Sequence, residues 1–276
     1  MGMHTLISGV LRLVPWSVRL QIRKIPVIAQ LQRLLVSKFL DGREFTYKVS
    51  SGPATGINFR VLLPEDKGIW TGTYESSFSI RLASSVRKGC IAFDIGSWHG
   101  FFAGVMAAQG ARTVHVFEPL PANVARIRQL VSLNPSKQIV LHDCAVGAAD
   151  AELDLLVMSE TSMAKIEGSP FQSDVTSDNR IRVRVRSVDE MVTAGEIEPP
   201  DIMKIDVEGA EMLVLEGAKN TLQLHHPVLF VEIHSSELLE QCTSLLEELG
   251  YVVEALDENP LAARSRDVFQ IRANKK

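Results

Sequence analysis

Short apolar runs alternate with helical segments from residue 90 onward, and no other feature of the sequence constrains the fold as strongly. A short apolar run between turn signals has the length of a buried strand, and the intervening segments carry apolar residues at helical spacing. Two parallel strands need a long crossover between them, so this pattern predicts βαβ units and a parallel sheet. The predicted strands are Ile91–Ile95, Thr113–Phe117, Ile139–Leu141, Ile202–Ile205, Val228–Ile233, Tyr251–Glu254 and Val268–Ile271.

Two segments precede or interrupt this alternation. Residues about 44–70 are rich in glycine and proline and contain two β-type runs, which predict an accessory hairpin. Residues about 150–187 hold two further strand-like runs around a polar stretch, which predict inserted strands and a loop. We therefore expect one main α/β domain over residues 44–276, preceded by a helical extension over residues 1–43. Within the main domain, a single helix is expected over residues 209–223.

The extension is basic, whereas the rest of the chain is acidic. Residues 1–43 hold seven basic side chains against Asp41 alone, a net charge of +6, which leaves −10 for the remainder of a chain whose total is −4. Apolar residues recur at helical spacing between Ile28 and Phe39, so amphipathic helices are expected. They could pack on the main domain, or they could contact an anionic membrane surface or an acidic partner.

Composition and cysteine spacing exclude several classes of protein. With 46% hydrophobic and 22% charged residues, the chain is neither disordered nor a coiled coil. Its three cysteines lack C-x-x-C spacing, which argues against a disulfide framework and favours a reducing, cytoplasmic location. An acidic main domain is atypical of an enzyme that binds nucleic acid. No run of about 20 apolar residues is present and Arg12 interrupts the apolar start, so neither a membrane span nor a signal peptide is expected.

A glycine turn follows the first predicted strand, in the sequence FDIGSWHG at residues 93–100. Glycine permits a positive φ and a close approach of the backbone to a ligand. The turn lacks both the G-x-G-x-x-G pattern of dinucleotide sites and the Gly-Lys-Ser/Thr of phosphate-binding loops. Asp94 would repel a phosphate, and its carboxylate would suit a cationic group such as an amine or a sulfonium.

An acidic residue ends the next predicted strand. Glu118 lies 22 residues after Gly96, close to the spacing at which nucleotide-binding α/β domains place the carboxylate that binds ribose hydroxyls. Asp143, at the end of the third strand, is the candidate for an adenine amino group, and Cys144 would pack beside the adenine or contribute a backbone donor. Because these residues end successive strands, we expect them at one edge of the sheet.

Four motifs together resemble the FkbM family of S-adenosylmethionine-dependent methyltransferases over about residues 70–235. They are Asp-x-Gly-x-x-x-Gly at 94–100, Phe-Glu-Pro at 117–119, Met-Lys-Ile-Asp-Val-Glu-Gly-Ala-Glu at 203–211 and Gly-Thr-Tyr-Glu at 72–75. The resemblance implies a class I methyltransferase fold, which is Rossmann-like with a seven-stranded sheet. The sequence departs from the family at Ser97-Trp98, where Ala-Asn is common, so Trp98 is expected to reshape the floor of the pocket.

The resemblance also implies the cofactor and the type of acceptor. S-adenosylmethionine would be bound by Glu75, Asp94, Gly96, Ser97, Gly100, Glu118, Pro119, Asn123, Asp143 and Cys144. The favoured acceptor is a hydroxyl of a sugar, of a glycolipid or polysaccharide, or of a natural product. Methylation of an amine or carboxyl group of a small metabolite and a non-catalytic module that binds the cofactor are the alternatives.

Charged residues end the fourth and fifth predicted strands. Lys204, Asp206 and Glu208 alternate along one extended segment, and Glu232 and His234 share a face of the next. Ligands of open α/β sheets bind at the carboxyl ends of strands, so Asp206, Glu232 and His234 are the candidate catalytic residues. One hypothesis is that His234 or Asp206 acts as general base for a substrate hydroxyl. The other is that a divalent cation such as Mg²⁺ is held by Asp206, Glu208, Glu232 and His234.

Overall fold

The computed structural model describes residues 42–157, 164–166, 180–256 and 268–275, together with residues 9, 13–23, 25, 27 and 30. Most of the helix expected between Ile28 and Phe39, and the polar stretch at residues 168–179, lie outside the described residues. Within the described part of the chain, no helix is both long enough and apolar enough to cross a bilayer. The division into an extension and a main domain stays a prediction.

The described N-terminal part consists of helix α1 (Trp16–Arg23), strands β1 (Glu44–Lys48) and β2 (Asn58–Leu62), and helices α2 (Lys67–Thr71) and α3 (Ser76–Ser85). The two strands form an antiparallel hairpin in which Tyr47 pairs with Phe59. Both side chains are buried, because alternate residues of each strand point to the same face. Helix α1 is tied to this unit by the Trp16 indole N–H, which donates to the Gly72 carbonyl at 2.9 Å.

Alternating strands and helices follow: β3 (Ile91–Ile95), α4 (Phe101–Ala108), β4 (Thr113–Phe117), α5 (Pro121–Leu133) and β5 (Ile139–His142). Strand β3 is buried at every position, as expected for a strand whose sheet is covered on both faces. Helix α5 begins with Pro121, whose fixed φ suits the first helical turn. Asn134, just after α5, exchanges two hydrogen bonds with the backbone of Asn58, at 2.9 and 2.8 Å, and so fixes the hairpin to this helix.

A second sheet of four strands follows β5. Its strands are β6 (Ala145–Val146), β7 (Ala151–Val157), β8 (Ala164–Ile166) and β9 (Arg180–Arg186), and its order is β6-β9-β7-β8. Strand β7 runs antiparallel to β8 and β9, and β6 runs parallel to β9. Leu155 on β7 and Val185 on β9 are buried. This small sheet therefore presents an apolar face toward the rest of the protein.

The chain then returns to the central sheet through α6 (Val188–Thr193), β10 (Ile202–Ile205), α7 (Glu211–Glu216), α8 (Lys219–His225), β11 (Val228–Ile233), α9 (Ser236–Glu248), β12 (Tyr251–Ala255) and β13 (Phe269–Lys275). Helix α9 is capped by Ser235, whose hydroxyl oxygen accepts a hydrogen bond from the Leu238 N–H at 3.1 Å. Its apolar face includes Cys242 and Leu246, both fully buried against the sheet.

The single helix predicted over residues 209–223 is two helices, α7 and α8, so that prediction is wrong. The Gly217 carbonyl accepts a hydrogen bond from the Asp189 N–H at 2.8 Å instead of continuing the helical ladder. The Asp189 carboxylate accepts from the N–H groups of Asn220 and Thr221, at 2.8 and 2.7 Å, and thereby caps the first turn of α8. Bonds to a distant segment therefore break a helix whose local sequence favours continuity.

The seven-stranded sheet has the order β12-β13-β11-β10-β3-β4-β5. Strands β5, β4, β3, β10 and β11 are parallel, whereas β13 is antiparallel to both of its neighbours. The predicted Rossmann-like α/β fold is therefore confirmed. Strands β3, β4 and β5 follow one another toward one edge of the sheet. Strands β10 and β11, which come later in the chain, extend the sheet toward the other edge. A crevice opens at the carboxyl ends of these two strands, where α/β sheets bind ligands.

Candidate active site

A cavity of about 510 Å³ opens at the carboxyl ends of β3, β4, β10 and β11, and we call it the cleft. This volume is in the range of sites for small molecules, which lie between about 300 and 1,000 Å³. Its aromatic side chains include Tyr74 and Trp98. Its carboxylates are Glu75, Glu118, Asp206, Glu208 and Glu232.

Gly96 lies at the point where the turn after β3 meets the end of β10. Its φ is +70°, and a Cβ built on it would overlap the carbonyl oxygen of Asp206. The Gly96 carbonyl accepts a hydrogen bond from Lys204 Nζ at 2.7 Å. Glycine is required here because the two loops touch, and the same residue lines the cleft.

Three residues predicted to bind the cofactor, Asp94, Ser97 and Gly100, do not line the cleft. Asp94 is fully buried, and its Oδ2 accepts from the Ser97 hydroxyl at 2.6 Å and from the Ala103 N–H at 2.8 Å. Burial raises the pKa of Asp94, and Lys204 Nζ lies 3.7 Å from its Oδ1. The structure thus places Asp94 inside the protein, where it anchors the start of α4, rather than against a cationic ligand group.

Glu118 is positioned by three hydrogen bonds at the end of β4. Its Oε2 accepts from the Trp98 N–H at 2.9 Å, and its Oε1 accepts from the Leu120 N–H at 3.0 Å and from Asn123 Nδ2 at 3.2 Å. Only 4% of the residue is exposed, and burial raises the pKa of Glu118 to about 7. Glu118 lines the cleft together with Pro119 and Asn123, as a carboxylate that receives ligand hydroxyls must.

Asp143 and Cys144, predicted to contact the adenine, do not line the cleft. The Asp143 carboxylate is half exposed and pairs with Arg128 at 2.9 Å. Cys144 is buried in the apolar core that also contains Phe117. The residues directly after them, 145–149, line the cleft instead. The end of the strand was predicted correctly, but the residues that line the cleft come from β6 and the segment that follows it.

An aromatic pair lines part of the cleft. The rings of Tyr74 and Trp98 are stacked with centroids 5.8 Å apart, and Trp98 stacks on His99 at 3.5 Å. The φ of Trp98 is +51°, a conformation unusual for a bulky residue. Tyr74 was not among the predicted site residues, although it lies beside Glu75 in the Gly-Thr-Tyr-Glu motif, which was the signal available in the sequence.

The predicted catalytic residues come together at the ends of β10 and β11. One ligand atom from each of Asp206, Glu232 and His234 lies within 4.8 Å of the others. Asp206 Oδ2 is 3.2 Å from Lys204 Nζ, and Asp206 Oδ1 is 3.7 Å from His234 Nε2. Asp206, Glu208 and Glu232 line the cleft, whereas His234 lies behind them.

His234 is held by a residue that sequence reasoning missed. Its Nδ1 lies 2.7 Å from Glu211 Oε1, and both side chains are buried. Burial alone would lower the pKa of His234, but the hydrogen bond to Glu211 and the charges of Glu211, Asp206 and Glu208 raise it to about 9. His234 is therefore an imidazolium at neutral pH and cannot accept a proton in that form. Glu211 is the last residue of the MKIDVEGAE motif, and that was its only signal.

Two carboxylates of the cleft have perturbed proton affinities. Burial and then the charges of Asp206 and Glu75 raise the pKa of Glu232 to about 7. Gln270 Nε2 donates to Glu232 Oε2 at 2.7 Å. Burial raises the pKa of Glu208 to about 7, with the Asp206 and Glu232 charges acting in the same direction and the His234 charge opposing them. A carboxylate with a pKa near 7 suits general-base chemistry at neutral pH.

The inserted sheet supplies the apolar side of the cleft. Leu153 and Leu155 on β7 and Val185 on β9 line it, as does Leu213 on α7. Sequence reasoning predicted the strands but not their place against the cleft. The alternating apolar residues of these strands show that one face is buried, but not what covers it.

Comparison with known proteins places these features in a family. The family model described as a methyltransferase FkbM domain matches residues 90–253, more than half of the chain. A hexuronic acid methyltransferase, AglP, from Haloferax volcanii is 30% identical over 171 residues, which are 60% of this chain and 65% of that protein. Methyltransferase 1 from Beauveria bassiana is 26% identical over 122 residues, 38% of this chain and 48% of that protein. This chain thus spans less than two thirds of the length of either curated relative.

Among solved structures, a methyltransferase FkbM from Methylobacillus flagellatus superposes with a TM-score of 0.50 at 17% identity. The match covers 75% of this chain and 55% of that one. At this identity the likeness concerns the fold alone.

Proposed function

The chain belongs to the FkbM methyltransferase family, and from this we propose that it transfers the methyl group of S-adenosylmethionine to a sugar hydroxyl. The observation that carries the proposal is the joint presence, in one cleft, of the buried carboxylate Glu118 and the paired carboxylates Asp206 and Glu232. Glu118 suits the hydroxyls of a ribose, and Asp206 and Glu232 suit the hydroxyl of an acceptor.

The carboxylates of the cleft fit the cofactor. Glu118 is held in place by backbone and Asn123 donors, and an ionised carboxylate only accepts hydrogen bonds, so it matches the two hydroxyl donors of a ribose. S-adenosylmethionine supplies, when bound, a methyl group on a positively charged sulfonium. Glu75, Asp206 and Glu232 give the cleft a negative potential, which attracts a cation.

Glu232 is the proposed general base. It lines the cleft and its partner at Oε2 is the neutral amide of Gln270, whereas Asp206 lies close to two cations, Lys204 and His234. His234 lies behind the carboxylates and is already protonated at neutral pH. Glu232 takes the proton of the acceptor hydroxyl as the methyl group is transferred. Asp206 and His234 hold the geometry of the site.

The alternative is a divalent cation held by Asp206, Glu232 and His234. Its support is the bond between His234 Nδ1 and Glu211, because a carboxylate on the second ring nitrogen is usual for histidines that ligate metals. Such an ion would orient the hydroxyl and lower its pKa. Activity in excess chelator separates the two mechanisms: full activity supports Glu232 as base, and loss that Mg²⁺ reverses supports the cation.

The type of acceptor is proposed from the name of one relative. One relative is named for hexuronic acid, a sugar acid, which favours a sugar acceptor over an amine of a small metabolite. The sugar could be free, part of a glycolipid or polysaccharide, or attached to a natural product.

Residues 1–43 are proposed to bring the enzyme to an anionic membrane surface or an acidic partner through their charge of +6. Flotation with anionic vesicles at low salt tests this contact.

Two measurements with the full chain test the main proposal. Calorimetry with S-adenosylmethionine should show binding to one site. Release of S-adenosylhomocysteine should then depend on an added sugar acceptor, and mass spectrometry should locate the methyl group on oxygen. Absence of cofactor binding, or transfer to amines with all hydroxyl acceptors inert, would contradict the proposal.

A further inference from the structure

Trp98 occupies a backbone position that disfavours a bulky side chain. Its φ is +51°, in the left-handed region where asparagine and glycine are common and bulky residues are rare. In this conformation the Trp98 N–H donates to Glu118 Oε2 at 2.9 Å. Backbone strain of this kind is concentrated at ligand sites. The turn uses only the N–H of residue 98, so the indole itself needs a separate explanation.

Neighbouring rings hold the indole in place. His99 stacks on it with centroids 3.5 Å apart, and His99 Nδ1 lies 3.2 Å from the buried Asp66 Oδ1. The Tyr74 ring is inclined by 24° with its centroid 5.8 Å away, which is beyond the roughly 3.5–4.0 Å of atoms in direct contact, so it is offset. Trp98 is half-buried and lines the cleft. Part of the indole surface is therefore open to a ligand.

This open surface suits a cation. The face of an aromatic ring carries a negative potential, and tryptophan attracts cations most strongly. Burial lowers the pKa of His99, so the imidazole stacked on the indole is uncharged at neutral pH. Among the described residues that line the cleft, none is a lysine, an arginine or a histidine. A cation that reaches the indole from the cleft must therefore come from a ligand.

Glu118 relates the indole to the cofactor. Under the proposed function this carboxylate receives the ribose hydroxyls, and the Trp98 N–H is bonded to one of its oxygens. The sulfonium of S-adenosylmethionine is covalently attached to C5′ of the same ribose. A ribose bound at Glu118 thus brings the sulfonium to the part of the cleft that Trp98 lines.

We propose that the indole of Trp98 binds the sulfonium of S-adenosylmethionine through a cation–π contact that is lost once the methyl group has been transferred. Transfer leaves the electron pair of the S–CH₃ bond on sulfur, so the product is a neutral thioether. The contact therefore favours the substrate cofactor over S-adenosylhomocysteine. This inference rests on the proposed function, and it assigns a role to a residue at which the sequence departs from the family.

The test is calorimetry of the full chain with S-adenosylmethionine and with S-adenosylhomocysteine. Trp98→Asn removes the ring, and asparagine tolerates the positive φ, so the N–H to Glu118 is kept. The Kd of S-adenosylmethionine should rise at least about fivefold, and that of S-adenosylhomocysteine less than about twofold. Leu213→Asn is the matched control, because it removes an apolar side chain from the same cleft, and it should affect both ligands equally.

Two further measurements separate charge from shape and from folding. S-adenosylhomocysteine sulfoxide carries an uncharged oxygen where the cofactor has its methyl group, so its affinity should respond to Trp98→Asn as S-adenosylhomocysteine does. Fluorinated tryptophan keeps the shape of the ring and weakens the potential of its face. Of the three tryptophans, Trp16 and Trp70 are not among the described residues that line the cleft. With all three replaced, the Kd of S-adenosylmethionine should rise with each added fluorine, while that of S-adenosylhomocysteine stays constant.

The outcomes distinguish this inference from the proposed function. Equal loss of both ligands in Trp98→Asn, or no loss of either, overturns the cation–π contact and leaves the methyltransferase function standing. The same holds if the sulfoxide responds as S-adenosylmethionine does, or if fluorination changes neither affinity. A wild-type chain that binds neither S-adenosylmethionine nor S-adenosylhomocysteine removes the proposed function and this inference together.

Discussion

Glu211 Oε1 lies 2.7 Å from His234 Nδ1, and both side chains are buried between α7 and the end of β11. This bond changes the chemistry available to the site. It holds the imidazole in its protonated form and places it behind the residues that face the cleft. The proposed proton acceptor is therefore Glu232, and the histidine becomes a positioning residue.

The His234–Glu211 pair should make stability depend on pH. Because the folded-state pKa of His234, about 9, is above its ordinary value of 6.5, its contribution is complete below pH 6.5 and is lost as pH rises through 9. We expect wild type to exceed His234→Gln in unfolding free energy by about 3 kcal/mol at pH 6, and by much less at pH 10. Urea denaturation at pH 6, 8 and 10 measures this. A difference that stays constant with pH would contradict the prediction.

Glu118→Ala should weaken S-adenosylmethionine binding by roughly 1–3 kcal/mol, because the ribose hydroxyls and the donors around residue 118 would lose their acceptor. Isothermal titration calorimetry provides the measurement. Asp143→Ala is the matched control, since that carboxylate pairs with Arg128 outside the cleft, and its affinity should equal that of wild type. Equal affinities for both variants would remove Glu118 from the ribose role.

Glu232→Gln should lower kcat by roughly 10²–10⁴-fold and leave cofactor affinity nearly unchanged, as expected when a general base is lost. Because the pKa of Glu232 is raised to about 7 and the base acts when deprotonated, wild-type kcat should rise with pH through 7 and then level off. Stopped assays from pH 5.5 to 9 follow this profile. Glu248→Gln, the same change at an exposed position at the end of α9, serves as the control. A flat wild-type profile together with an active Glu232→Gln enzyme would exclude Glu232 as the base.

Gly96→Ala should destabilise the protein more than Gly195→Ala, although both glycines have φ near +70°. At Gly195 nothing lies within 4 Å of the added Cβ, so only the backbone strain of about 1–2 kcal/mol applies. At Gly96 the Cβ would also overlap the Asp206 carbonyl, and overpacking adds about 1–3 kcal/mol. Thermal unfolding of both variants measures the difference. Equal losses would show that the β3 and β10 loops separate freely.

The sequence was informative where a local pattern decides the structure. Alternating apolar runs identified the strands of the central sheet and the carboxyl ends at which the cleft lies. The 22-residue spacing from Gly96 located Glu118, which does line the cleft, while its contact with a ribose stays a prediction. Such patterns are readable because hydrophobic periodicity and strand-end position depend on neighbours in the chain.

Local patterns failed where a distant partner decided the outcome. Asp94 and Asp206 both lie near strand ends and look equivalent in the sequence, yet Ser97 and Ala103 hold Asp94 inside the protein while Asp206 faces the cleft. Asp189 divides a helix that the local sequence would continue.

What the sequence determined by itself was the family, the parallel sheet and the edge at which the site forms. The tertiary structure alone decided which carboxylates face the cleft, that Glu211 keeps His234 protonated, and that Lys204 pairs with Asp206 without lining the cleft itself. The physical reason is that burial and charge pairing act through space. The proton affinity and exposure of a side chain depend on groups brought close by folding, which its position in the chain does not reveal.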